Sequence, residues 1–197
     1  MAQPSAVNGI LSACDLVGES CGRASRHPTV SLAGTILRTG ETTLYQKAQE
    51  IAETAVASFL KEPTSEMHTL VVYLELLQDC EEIQYQPVLA NERFREILFW
   101  QIRHAVSNEP EEWFTSYVSK PSNFFFTREQ LLGIFSEEIC KKEAEEILEH
   151  QQADGSFVIP WQWGTDYPEF FISKQWWKSI AIIKNFLFLR AFLDEPF

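Results

Sequence analysis

The sequence predicts an all-α protein built from αα-hairpin repeats. Apolar residues recur at helical spacing through most of the chain, and Gly and Pro fall mainly at the ends of those stretches. No convincing run alternates apolar with polar residues, and "FVIPWQW" is interrupted by Pro160. At 197 residues the chain can bury one sizeable core, and no internal linker rich in Gly, Ser or Pro divides it. Residues 1–197 are therefore expected to form a single domain.

The elements follow in order. "PSAVNGILSACDLVG" and "HPTVSLAGTILRTG" each open near a proline and close at a glycine, the polarity of short helices. "TTLYQKAQEIAETAVASFLKE" places Leu44, Ala48, Ile51, Ala55 and Phe59 on one face, and Pro63 stops it. "TSEMHTLVVYLELLQD" follows after a few residues, which predicts an antiparallel hairpin. Thr64 or Ser65 would cap it, with Met67, Leu70, Val71, Leu74 and Leu77 as its buried stripe.

"PVLANERFREILFWQIRHAV" (87–106) reads as one helix with Phe94, Ile97, Leu98, Ile102 and Ala105 on its apolar side. Thr127 and Ser136 are placed to cap the next two helices. The last helix, from about Lys174 to Leu193, is apolar on nearly all faces and is expected to be enclosed by other helices. The acidic runs "EEICKKEAEE" and "NEPEEW" read as solvated faces.

Charge and cysteine usage narrow the function. The apolar fraction of 45% marks a folded chain, while 28 acids against 16 bases give a formal charge of −12. That field repels nucleic acid and anionic membrane surfaces, so neither is an expected partner. The most apolar run, residues 179–193, is short for a membrane span and carries Lys184 and Arg190, so no integral membrane segment is expected. Cys14, Cys21, Cys80 and Cys140 form no CxxC pair, and no secretory leader is legible, which predicts a reduced cytoplasmic setting. No spacing selects metal ligands among the four cysteines and four histidines, so neither a metal nor another cofactor is expected.

"ILEHQQADGSF" (147–157) resembles the end of the QW-type repeat of α/α-toroid proteins, the terpenoid cyclases and protein prenyltransferase β-subunits. Gln151 or Gln152, Asp154, Gly155 and Phe157 carry the resemblance. The pattern has a physical logic. A glutamine at a helix end bonds the adjacent turn, glycine permits positive φ, and the aromatic packs back on the hairpin. The resemblance implies a partial or complete α/α toroid, and the modest length implies a partial barrel, an open arc or one member of a homo-oligomer.

It also implies an enzyme that cyclises or isomerises an apolar, isoprenoid-like small molecule. Such enzymes stabilise cations against ring faces by about 2 kcal/mol or more. Four of the six tryptophans crowd into residues 154–177, and Trp161, Trp163, Trp176, Trp177 and Phe125 would line the cavity. Asp166, Asp154 and His68 would handle protons.

The chain has neither DxDD nor DDxxD, the acid motifs of that chemistry. Other readings therefore stand beside the first. The aromatics either line a cavity or clamp a loop onto the core. Asp154 and Asp166 either act as acids or shape turns, and His68 is either a base or a surface residue. The alternative function is a non-catalytic α/α-repeat module binding a lipid-like ligand or a protein partner, and the third is a bare structural subunit.

Overall fold

The proline-to-glycine polarity of "HPTVSLAGTILRTG" produces the helix it predicts. Helix α1 (His27–Thr39) carries Pro28 in its first turn and ends where Gly40 takes φ +75°. In the computed structural model, residues 27–40, 43–159 and 168–193 are described. Among these the regular elements are all helices, with no strand. The earlier stretch "PSAVNGILSACDLVG" lies outside the described residues, as do Cys14 and Cys21.

Backbone packing groups the chain into two compact units, one running to Thr64 and resuming over His68–Ile97, the other comprising Ser65–Met67 and everything from Leu98 on. The first unit holds α1, α2 (Tyr45–Lys61), most of α3 (Met67–Glu82), α4 (Gln86–Leu89) and the start of α5 (Glu92–Ala105). Helix α2 buries Ala48, Ala52, Ala55, Val56 and Phe59, close to the face its periodicity marks out. Phe59, Tyr73 and Phe94 form an aromatic cluster, with centroids 4.6 Å apart for Phe59–Tyr73 and 5.8 Å for Phe59–Phe94. The Tyr73 hydroxyl donates to Ala55 O at 3.1 Å, which satisfies its polar end inside the core. Gly34 lets α1 pass close to α3, since a Cβ there would lie 2.7 Å from Asp79 Oδ2 and 3.4 Å from Leu76 Cα. Arg38 then pairs with Asp79 at 2.8 Å beside that contact.

Residues 87–106 do not make one helix. Asn91 Oδ1 accepts the Phe94 amide at 3.2 Å, so α4 ends at Leu89 and α5 starts afresh at Glu92. A capping side chain in mid-run outweighs the continuous apolar period.

In the second unit, Thr127 and Ser136 cap α6 (Arg128–Leu132) and α7 (Glu137–Glu149) as their positions predict, accepting from Gln130 N and Ile139 N. Two short 3-10 turns, Pro110–Glu112 and Pro121–Phe124, precede them. The core here gathers Leu98, Ile102, Phe124, Leu131, Cys140, Ala144, Ile147, Phe157, Phe188 and Phe192. Burial pushes the Cys140 thiol up to about 12, as it does Cys80 in the first unit, so both behave as small apolar groups.

Helix α8 (Glu169–Phe192) starts five residues earlier than its apolar run suggests, because Pro168 sits at its head, where a missing N–H costs nothing. The expected enclosure fails. Only Asn185, Phe188, Leu189 and Phe192 of α8 are buried, all in its last turns, and its other faces carry exposed large apolar side chains. No helix among the described residues is long and apolar enough to cross a membrane.

Candidate functional site

The turn after α7 is built as its residues dictate. Gln151 Nε2 donates to Gly155 O at 3.2 Å, Gly155 takes φ +79°, and Phe157 is buried. Backbone bonds Gln152 N to Ser156 O (2.8 Å) and Gly155 N to Gln152 O (2.9 Å) close it. Asp154 Oδ1 accepts from Ser156 N at 3.0 Å and from Ser156 Oγ at 2.6 Å. Lys178 Nζ on α8 donates to the same Ser156 oxygen at 3.4 Å, tying the turn to the helix.

The two Ser156 hydrogen bonds hold Asp154 below the usual carboxylate range. An ionised, exposed carboxylate of this kind has no proton to give near neutrality, and its geometry is that of a turn residue. Ser156→Ala removes the hydroxyl and keeps the amide, so it is expected to raise the Asp154 pKa part of the way back to its ordinary range, read by NMR titration of the carboxyl carbon. An unchanged value would show that the Ser156 hydroxyl does not hold it.

Between this turn and α8 lies a cleft of about 120 Å³, lined by Leu148, Gln151, Gly155 and Phe157 on one side and Ile182, Phe186 and Leu189 on the other. It is smaller than the ~300–1,000 Å³ of a drug-sized ligand site. Elsewhere along α8 large apolar side chains are exposed, Phe171 at 71% and Trp176 at 72%, together with Ile172, Trp177, Ile183 and Leu187. Monomers rarely leave a contiguous apolar patch of more than a few hundred Å² without a use for it.

The remaining predicted site residues are dispersed. Trp176 and Trp177 lie on the open face of α8, while Phe125 is half-buried against Phe188 (5.4 Å) and Phe192 (6.1 Å) as loop-clamping core. His68 lies in the first unit, exposed on the first turn of α3. Trp161, Trp163 and Asp166 lie outside the described residues. No group of three His, Cys, Asp or Glu among the described residues is placed to hold a metal.

One charged cluster escaped the sequence reading. Glu143 of α7 is fully buried, and its Oε2 accepts the Ser122 amide at 2.8 Å. Its Oε1 faces Lys120 Nζ at 3.5 Å, within ion-pair reach. Lys120 Nζ also sits 3.9 Å over the Phe114 ring, which stacks on His150 at 4.6 Å. Burial pushes Glu143 up and Lys120 down, each opposed by the attraction of the other. The signal was present in the spacing, since Cys140, Glu143, Ala144 and Ile147 share one helical face.

No protein-family model, characterised protein or solved structure matches this chain.

Proposed function

We propose that this chain is a non-catalytic helical interaction module that docks a protein partner on the open face of α8. The observation that carries the reading is the exposed apolar strip itself. Its exposed apolar residues run from Phe171 to Leu187, about 24 Å at 1.5 Å per residue, too long and too open for a small molecule. An extended helical partner meets such a strip through anchors spaced by three and four residues. The ionised, turn-bound Asp154 and the half-buried Phe125 support binding over proton chemistry.

A second reading, the terpenoid cyclase-like enzyme on an α/α toroid, is supported by one feature. The Gln151–Phe157 turn bonds as the QW-type pattern requires. Native mass spectrometry of the freshly purified protein, followed by organic extraction, separates the two. The docking reading expects protein assemblies and no apolar molecule in the extract. A released isoprenoid-like compound of defined mass would overturn it in favour of the enzyme.

A further inference from the structure

On the reading of α8 as a docking surface, we propose that its occupant is a second copy of this chain, paired α8 to α8 in antiparallel orientation about a point between Ile180 and Ile183. The outer face of α8 carries Trp176, Ile180, Ile183 and Leu187, spaced four, three and four, the seam of a coiled coil. That spacing reads the same in both directions. A second copy running the other way therefore sets Trp176 against Leu187 and Ile180 against Ile183, and the same contacts recur with the copies exchanged. This is the self-complementarity that a two-fold interface requires.

The charges agree with the antiparallel choice and oppose the parallel one. In the antiparallel register Lys174, Lys178, Lys184 and Arg190 come level with Leu189, Asn185, Ser179 and Ser173, so no base meets a base. Parallel pairing would set Arg190, the next seam position after Leu187, against Arg190 of the second copy, which repels. Helix α8 carries four bases and one acid in a chain of net charge −12, so the pairing helix does not share the chain's excess of acids.

Trp176, an aromatic of ~150–250 Å² that is 72% exposed, anchors the seam, and Ile180, Ile183 and Leu187 are 43%, 61% and 45% exposed, so the pairing belongs with the small interfaces below about 1,200 Å².

Sedimentation equilibrium of the full chain tests the proposal, together with cysteine variants and Ile183→Glu. Twice the 22.7 kDa chain mass is expected at tens of micromolar. Ile183 is largely exposed in one copy, so Ile183→Glu is expected to leave the circular dichroism unchanged while weakening association on the order of 100-fold, because each copy then buries a carboxylate. Mild oxidation is expected to cross-link the double variant Ile180→Cys/Ile183→Cys and neither single variant. Cross-linking of Ile180→Cys alone would mean parallel pairing and overturn the register. A dimer indifferent to Ile183→Glu would overturn the interface.

A monomer at about 100 μM would overturn the second copy as occupant, and binding of the apolar dye ANS then judges the underlying reading. If Ile183→Glu lowers dye binding, the strip is open and takes a different partner. If dye binding is unchanged, the docking surface falls as well.

Discussion

Glu143→Ala is expected to cost about 3–5 kcal/mol of stability, measured by urea denaturation followed by far-ultraviolet circular dichroism. Glu143 holds the Ser122 amide and faces Lys120 from a position with no solvent access. Its removal leaves a mostly buried ammonium without a counter-charge and an amide without an acceptor. The Phe114 ring beneath Nζ offsets only part of that loss. Taking away both charges should cost far less, so Lys120→Met/Glu143→Gln is expected to recover most of the stability while keeping an acceptor for Ser122. A double variant as unstable as Glu143→Ala would mean that shape, and not charge pairing, holds this region together.

The same pair has a pH signature of definite sign. Burial raises the folded-state pKa of Glu143 above its ordinary 4.5, and Lys120 opposes that rise. In Lys120→Met the opposition is gone, so the folded-state pKa moves higher still. A carboxyl with a raised pKa contributes stability that is complete below the unfolded value and is lost as pH climbs through the folded value. Lys120→Met is therefore expected to gain stability relative to wild type as pH is lowered from 7 toward 5.

Much of the helical framework was legible because local chemistry and tertiary packing agree there. Pro28 and Gly40 bound α1, and Thr127 and Ser136 cap the helices they precede. The reading failed where one residue carries the decision. Asn91 restarts the chain inside an unbroken apolar period, and Pro168 heads α8 five residues before its run begins. Two acidic runs conceal buried positions, Cys140, Glu143 and Ala144 in one and Trp113 in the other. Composition averages a run, whereas burial is decided position by position.

The face of α8 was the least legible feature. An apolar period on all sides states that water is unfavourable there without stating what replaces it, and the cover here comes from the protein itself only over Asn185, Phe188, Leu189 and Phe192. Asp154 was legible as a residue of this site but open between two roles. Its bonds to Ser156, which no spacing predicts, make it a turn acceptor.

Trp113→Ala is expected to lower stability by about 3–5 kcal/mol, whereas Trp176→Ala should change the stability of one copy by no more than about 0.5 kcal/mol. Trp113 is 1% exposed and follows a 3-10 turn in a stretch that its neighbours Glu109, Glu111 and Glu112 mark as solvated. Its indole N–H donates to Ser107 O at 3.1 Å, the Ser107 amide donates to Ser119 O at 2.9 Å, and Ser107 Oγ donates to Glu112 at 2.9 Å. The ring is thus the post around which residues 107–119 close, and truncation removes both its volume and the donor that satisfies a carbonyl. Trp113→Phe keeps most of the volume and loses the donor, so it should fall between, at about 1–3 kcal/mol. Urea denaturation of the three variants at one protein concentration separates the roles. A loss below about 1 kcal/mol for Trp113→Ala would show that the loop closes without it. A large loss for Trp176→Ala at a concentration where the wild type is monomeric would mean that the outer face of α8 is packed in solution, and both the docking surface and the α8 pairing would fall with it.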